Sequence, residues 1–291
     1  MSHKKRVLSA LWMIPLAVLA IMYLPTPWMG AVMAVLLLAG LSEWSDIAHL
    51  YGKHNRLGYL LINAVLMALI AWSDNAEHQA LKLAIYIGGV FWLLALAWLW
   101  QFGFARQQSK RNTLLKLTAG SLACVPAWAA LVWLHGSTGG PSWTLFAVGL
   151  IAAADSGAYL FGVNLGKHKL APNISPGKSW EGFWGGLFMT IAVALLCMPV
   201  FDAPISDAWR FAVLGLFTGL FSVAGDLFES LLKRHAQIKD SSSLIPGHGG
   251  LLDRLDSIVS GLVVFALVKY WLAICGVFAF WVPPAPSASP R

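Results

Sequence analysis

Charged residues are scarce in this sequence. Asp, Glu, Lys and Arg make up 11% of the 291 residues, whereas 58% are hydrophobic and the mean hydropathy is +0.69. Soluble domains carry about 25% charged residues, so the composition excludes an ordinary soluble protein and indicates an integral membrane protein. The apolar runs are long and uniform, which excludes the alternating pattern of a barrel strand and predicts an all-α polytopic bundle.

Cysteine is also rare. Cys124, Cys197 and Cys275 lie inside apolar runs, and no CxxC pair or Cys/His spacing occurs. This pattern does not support a disulfide framework or a zinc site and favours packing roles. No Ser-His-Asp or Cys-His arrangement is evident either, so the sequence does not indicate a covalent enzyme intermediate.

The formal charge of +7 does not indicate a nucleic-acid partner. Lys and Arg are spread over the connections between apolar runs instead of being gathered on one soluble face. Membrane topology and anionic lipid headgroups explain such a distribution. We therefore expect membrane lipids, and no nucleic acid, as partners.

Nine apolar runs predict nine transmembrane helices in a single membrane domain. The predicted spans are 7–24, 28–48, 57–73, 81–104, 114–135, 143–163, 181–201, 209–231 and 257–281. Because no small-residue cleavage site follows the first run, we interpret that run as an uncleaved span and not as a signal peptide.

The distribution of basic residues predicts the orientation of this domain. Lys and Arg are concentrated at the N-terminus and in every second connection, which predicts a cytoplasmic N-terminus and an external C-terminus. We expect N-terminal helices in 1–145, catalytic helices with cytoplasmic loops in 146–281, and a disordered tail rich in Pro and Ser in 282–291.

The most polar stretch runs from Gly225 to Ser257 and reads GDLFESLLKRHAQIKDSSSLIPGHGGLLDRLDS. Charged groups are costly near lipid, so their density here marks a functional site. Asp226 and Lys233 are spaced so that they fall on one helical stripe. Asp253 and Asp256 are three residues apart and would present two carboxylates from one face. We therefore expect the acids to converge at one depth, near the cytoplasmic surface.

Such a cluster suits a divalent cation and phosphate groups. Carboxylates from separate helices repel one another unless a cation lies between them, and hard oxygen ligands suit Mg²⁺. Basic residues of the two long polar connections surround these acids, namely Lys167, Lys169, Lys178, Lys233, Arg234, Lys239 and Arg254. Carboxylates, a metal ion and a ring of bases are what transfer at a phosphate centre needs. The glycines of the turn Gly247–Gly250 would let backbone N–H groups approach a phosphate.

Several of these residues also fit structural roles. Lys233 and Arg234 fit ordinary flanking charges, and the glycines fit a tight re-entrant turn. Asp226 fits an ion-pair partner of Lys233. Glu43 and Asp46, at the cytoplasmic end of the second span, fit the site and the solvated end of a helix equally well.

At these positions the sequence resembles the phosphatidate cytidylyltransferases, also called CDP-diacylglycerol synthases. Their signature is Ser-x-x-Lys-Arg, four residues, Lys-Asp, a short gap, Pro-Gly-His-Gly-Gly, two residues and Asp-Arg-x-Asp. It is complete here, at Ser230, Lys233, Arg234, Lys239, Asp240, Pro246, Gly247, His248, Gly249, Gly250, Asp253, Arg254 and Asp256. A second block also resembles the family: ADSGAYLFG from Ala154 and GKHKLAPNISPGKSWEG from Gly166, in which Ser179 replaces the usual Thr.

The resemblance implies a reaction of phospholipid biosynthesis. CTP and phosphatidic acid would give CDP-diacylglycerol and pyrophosphate, with Mg²⁺ as the cofactor, at the cytoplasmic side of a bacterial inner membrane. A second cation and a homodimer stay open as further expectations. Cation-coupled transporters, CDP-alcohol phosphotransferases and a catalytically silent membrane scaffold are the alternatives. The first conflicts with the lack of an ionisable trail towards the outside, the second with the missing D-x-x-D-G-x-x-A-R pattern, and the third with the complete signature.

The resemblance also suggests roles for individual residues. We expect Asp226, Asp253 and Asp256 to be metal ligands and, with Lys233, the catalytic residues. We expect the substrate phosphates to be bound by the remaining set: Arg234, Lys239, Asp240, His248, Gly249, Gly250, Arg254, Ser175, Lys178 and Asp155, of which Asp155 would support the metal or the loops.

Overall fold

The computed structural model describes residues 14–75, 77–242 and 249–273. These residues form nine α-helices and one small sheet. The helices are α1 (Ile14–Tyr23), α2 (Thr26–Ile47), α3 (Lys53–Ser73), α4 (Gln79–Trp100), α5 (Lys110–Gly136), α6 (Gly140–Leu165), α7 (Trp180–Leu196), α8 (Ala208–His235) and α9 (Leu252–Leu272). The all-α polytopic fold predicted from the sequence is confirmed. Pro246, Gly247, His248, Cys275 and the tail 282–291 lie outside the described residues.

Seven helices in the described ranges are long and apolar enough to cross a membrane. The other two are α7, which has 17 residues, and the described part of α1. The chain is therefore an integral membrane protein. Each of the nine helices coincides with one predicted apolar run, in the same order.

The helix ends differ from the hydropathy prediction where charges or proline occur. Helix α9 begins at Leu252, ahead of the predicted 257. The prediction starts late because hydropathy counts the charged residues of the first turn as a connection, although their backbone is helical. Helix α8 likewise continues to His235 through a basic last turn, which is the favourable end for positive charge. Helix α7 ends at Leu196 instead of 201, and a 3₁₀ turn containing Pro199 follows.

The predicted polar connection between α6 and α7 forms an antiparallel β-hairpin. Its strands are β1 (Lys169–Ala171) and β2 (Ser175–Ser179), and Lys169 pairs with Ser179 while Ala171 pairs with Ser175. The Ser179 side chain then accepts a hydrogen bond from the Gly182 backbone N–H at 3.2 Å and so caps α7. The replacement of the family's Thr by Ser at this position keeps that capping oxygen.

Helix α8 is positioned by the aromatic packing of Phe228 and by a close contact with α9 at Gly225. The Phe228 ring lies 5.4–6.2 Å from the rings of Trp44, Trp92 and Trp98. At Gly225, a Cβ atom would collide with Ser260 and with a backbone carbonyl of α9. The absence of a side chain lets α8 and α9 approach closely, and this contact brings the polar ends of the two helices together.

Candidate active site

Five carboxylates from three helices converge at one region of the bundle. Asp155 comes from α6, Asp226 and Glu229 come from α8, and Asp253 and Asp256 come from α9. Asp155, Asp226 and Asp256 are close enough to repel one another electrostatically. Glu229 has the same relation to Asp253 and Asp256. The predicted convergence of acids from separate helices is therefore present in the structure.

Asp226 binds a lysine from the β-hairpin. Its Oδ2 atom lies 2.6 Å from the Lys178 Nζ atom, and its Oδ1 atom accepts a hydrogen bond from the Ser230 hydroxyl at 3.2 Å. Both members of the ion pair are partly accessible, with 23% of the Lys178 side chain and 29% of the Asp226 side chain exposed. The lysine paired with Asp226 is therefore Lys178 and not Lys233.

Lys233 bridges two other acids. Its Nζ atom lies 3.1 Å from Glu229 Oε2 and 2.6 Å from Asp253 Oδ1. The side chains are 12%, 2% and 14% exposed for Lys233, Glu229 and Asp253. The second oxygen of Glu229 is buried and receives no N–H or O–H donor from a neutral or basic group among the described residues, and the Glu229 carboxyl lies within hydrogen-bonding reach of the Asp256 carboxyl. Lys233 therefore compensates this group of carboxylates only in part.

The remaining oxygen of Asp253 is occupied by backbone donors. Asp253 Oδ2 accepts hydrogen bonds from Gly250 N–H at 2.8 Å and from Ser241 N–H at 3.1 Å. Because both oxygens of this carboxylate already have donors, the structure gives Asp253 a role in holding the chain at the start of α9. Its predicted role as a metal ligand would require it to exchange these partners.

Glu43 is a functional-site candidate that the sequence left open. Its carboxylate, at the end of α2, accepts hydrogen bonds from the side chains of Ser241 and Ser242 and from the N–H groups of Leu251 and Leu252. The signal in the sequence is a pair of acids, Glu43 and Asp46, at the end of a long apolar run. Asp46, the other acid of that pair, forms an ion pair with Arg56 at the surface.

Other predicted substrate-binding residues lie on the hairpin, after α8 and at the start of α9. The Arg234 Nε–H donates to the Ile174 carbonyl at 3.1 Å, and Arg234 therefore holds the hairpin next to α8. Ser175 begins β2, and Lys239, Asp240 and Arg254 are exposed. Gly249 has φ +83°, a conformation that favours glycine. His248 lies outside the described residues.

A cavity of about 260 Å³ opens beside the cluster. Asp155, Lys178 and Asp226 contribute its polar surface, while Tyr159 and Phe183 contribute an apolar surface. The cavity thus combines a partly accessible ion pair with an apolar surface. Such a lining suits a ligand that has both a phosphate group and an apolar portion.

The donors available to a metal ion are all oxygen atoms. Five carboxylates face two ammonium groups. Hard, negatively charged oxygen donors of this kind fit Mg²⁺. No three acidic, imidazole or thiol side chains in the described ranges are arranged to hold a metal together. Mg²⁺ would fit such donors only if one or two carboxylates held it and water and substrate phosphates completed its shell.

The sequence matches one protein family and several bacterial proteins. A family model described as the cytidylyltransferase family matches residues 4–272. The phosphatidate cytidylyltransferase of Haemophilus influenzae is 33% identical over 288 residues, covering 92% of this chain and 99% of the relative. The protein of the same name from Pseudomonas aeruginosa is 34% identical over 275 residues, covering 92% and 97%. The one from Bacillus subtilis is 42% identical over 135 residues, covering 46% and 49%.

Proposed function

Because the chain belongs to the cytidylyltransferase family, we propose that it is a phosphatidate cytidylyltransferase. It transfers CMP from CTP to phosphatidic acid and yields CDP-diacylglycerol and pyrophosphate. Bacterial relatives that carry this name match 92% of the chain. The proposal also agrees with the membrane-spanning fold, since the acceptor and the product are membrane lipids.

The observation that carries the proposal is the pairing of accessible lysine with carboxylates beside a mixed polar and apolar cavity. Lys178 Nζ lies 2.6 Å from Asp226, and both residues line the cavity. A substrate phosphate can replace Asp226 as the partner of Lys178, because the pair is partly accessible. Lysine supplies a compact positive charge that attracts phosphate oxygens.

The reaction requires alignment and charge stabilisation more than proton transfer. An oxygen of the phosphatidate phosphate attacks the α-phosphorus of CTP and forms the new P–O bond. The bond between the α-phosphorus and the oxygen that bridges to the β-phosphorus breaks, and pyrophosphate leaves with the electron pair. A phosphate monoester is largely ionised at neutral pH, so a strong general base is not needed. Lys178, which lines the cavity, would counter the charge that accumulates on the phosphates.

We further propose that Asp226 and Asp256 hold Mg²⁺, with the Glu229 carboxyl next to Asp256. When bound, Mg²⁺ would neutralise charge on the nucleotide phosphates and on the leaving pyrophosphate. Asp253 would keep α9 and the preceding chain in place through its backbone donors. Asp155, which faces Asp226 across the cavity, would support the metal-binding carboxylates.

We propose that the site faces the cytoplasm at the inner membrane of a bacterium. The hairpin, the end of α8 and the start of α9 carry most of the basic residues near the site, and Lys and Arg are enriched in cytoplasmic connections. CTP is made inside the cell, and a triphosphate does not cross a bilayer unaided because of its charge. A site that uses CTP should therefore open to the cytoplasm.

The decisive experiment is a direct assay with the purified full-length protein in detergent. Radiolabelled CTP, phosphatidic acid and Mg²⁺ are supplied, and we expect the cytidine label to become soluble in chloroform while pyrophosphate is released in equal amount. Omission of phosphatidic acid is the control. Label that stays in the aqueous phase under all conditions contradicts the proposal, and cation-driven uptake into sealed vesicles without CTP consumption would favour the transporter instead.

A further inference from the structure

We infer that Glu43 is a positioning residue for the active site, acting from α2 on the start of α9. Its carboxylate ties the chain that follows α8 to the first turn of α9, which carries Asp253 and is followed by Asp256. The effect on turnover that we derive from this rests on the proposed function, whereas the structural tie does not.

Glu43 makes a complete set of hydrogen bonds. Its Oε2 atom accepts from the Ser241 hydroxyl at 2.8 Å and from Leu252 N–H at 2.8 Å. Its Oε1 atom accepts from the Ser242 hydroxyl at 2.6 Å and from Leu251 N–H at 3.0 Å. Each oxygen therefore receives two donors, which fills the acceptor capacity of a carboxylate. The side chain is only 6% exposed, so water competes little for these donors.

The donors come from two separate parts of the chain. Ser241 and Ser242 lie after α8, whereas Leu251 and Leu252 begin α9. The N–H groups at the start of a helix have no partner within the helix, and a negative charge there is favourable. Glu43 supplies both the partner and the charge from a third helix, and so it fixes the place where α9 starts.

Gly250 shows that the close approach of Glu43 is built into the fold. A Cβ atom at this position would clash with the Ser241 hydroxyl and with the Glu43 carboxylate. Glycine is therefore required here so that the chain can pass over the carboxylate. This gives a structural reason for a signature glycine that we had expected to bind substrate.

The hydrogen bonds of Glu43 hold the first turn of α9, and this turn carries or directly precedes the carboxylates of the candidate site. Asp253 begins the same turn, accepts from Ser241 N–H, and lies 2.6 Å from Lys233. Asp256 follows one turn later and faces Asp226. A shift in the start of α9 would displace both carboxylates relative to the residues of α8. A displacement of about 1 Å in a catalytic group can cost roughly a hundredfold in rate.

The test compares Glu43→Gln with Asp46→Asn. Both variants remove one carboxylate charge from the same end of α2, but Asp46 pairs with Arg56 at the surface. The amide nitrogen of glutamine cannot accept a hydrogen bond, so Glu43→Gln loses the two hydrogen bonds that one carboxylate oxygen accepts. We expect kcat to fall by about 10- to 100-fold with a smaller change in KM for CTP, whereas Asp46→Asn keeps the wild-type kcat.

Hydrogen exchange supplies a readout that does not depend on activity. Leu251 N–H and Leu252 N–H donate to different oxygens of Glu43. We expect the one amide whose acceptor becomes the glutamine nitrogen to exchange roughly tenfold faster in Glu43→Gln, and both amides to be unchanged in Asp46→Asn. A wild-type kcat in Glu43→Gln, or unchanged exchange at these two amides, overturns the inference. If wild-type protein makes no lipid-linked cytidine, the proposed function fails, and the exchange comparison alone decides whether Glu43 fixes the start of α9.

A second variant covers the case in which Glu43→Gln does not fold. The double variant Ser241→Ala with Ser242→Ala keeps Glu43 and its two backbone donors while removing the two hydroxyl donors. We expect this variant to elute as a folded particle and to lose about 3- to 10-fold in kcat through looser positioning. A wild-type kcat in this folded double variant would overturn the inference.

Discussion

Lys233→Met removes the one ammonium group that two buried carboxylates share. The Lys233 Nζ atom lies 3.1 Å from Glu229 and 2.6 Å from Asp253, and all three side chains are largely buried. Methionine keeps the unbranched shape of the side chain, so the perturbation is chiefly electrostatic. Glu229 and Asp253 would then face each other, and Asp256, without a positive partner between them.

The size of the effect follows from burial. Removal of one partner of a buried ion pair costs about 3–5 kcal/mol, because the remaining charge stays desolvated. At a few degrees per kcal/mol for a domain of this size, the midpoint of thermal unfolding should fall by roughly 6–20 °C. An exposed ion pair would shift it very little, since such pairs contribute about 0–1 kcal/mol.

The assay is thermal unfolding of the detergent-solubilised protein, followed by the loss of the folded particle on size-exclusion chromatography. Lys239→Met is the matched control, because Lys239 is exposed and follows α8 a few residues later. We expect that variant to unfold within about 2 °C of the wild type. The double variant Lys233→Met with Glu229→Gln should regain part of the lost stability, since it removes the most buried uncompensated charge.

Two results would refute this reasoning. A midpoint for Lys233→Met equal to that of Lys239→Met would show that the carboxylates do not depend on Lys233. A double variant less stable than Lys233→Met alone would show that Glu229 is stabilised by something other than this ion pair.

Further predictions concern turnover and helix packing. Asp226→Asn should lower kcat by about 10²–10³-fold, and chelation of divalent cations should abolish wild-type product formation until Mg²⁺ is restored; normal turnover in either case contradicts the metal proposal. Lys178→Ala should lower kcat/KM by about 10²-fold, whereas Lys169→Ala, at an exposed position of the same hairpin, should not. Gly225→Ala should destabilise the protein by about 1–3 kcal/mol through overpacking, while Gly149→Ala, which meets no atom within 4 Å, should be neutral or slightly stabilising in a melting experiment.

Hydropathy predicted the helices well because lipid requires long apolar spans. The start of α9 was placed at 257, however, since an average over hydropathy treats Asp253 and Asp256 as the end of a span. In the structure these two acids belong to the first turns of the helix because Lys233 and backbone donors compensate Asp253. Helix ends that carry charge are decided by such partners, which hydropathy does not contain.

The members of the site could be predicted more easily than their pairings. The spacing in α8 indicated that Asp226 and Lys233 lie on one stripe, but Asp226 pairs with Lys178 because the hairpin folds back against α8. Glu43 could not be assigned, since its donors lie about two hundred positions later in the chain. Local spacing predicts neighbours on one helix, whereas contacts between distant segments depend on how the helices pack.

Because of the carboxylates of Glu43 and Asp253, the folding of the bundle should not depend on the length of the connection 243–248. Residues on both sides of that connection are already fastened to these acids. The entropy of closing a flexible loop rises by only about 0.6 kcal/mol for each doubling of its length. An insertion in this connection should therefore leave the bundle folded and affect mainly the chemistry.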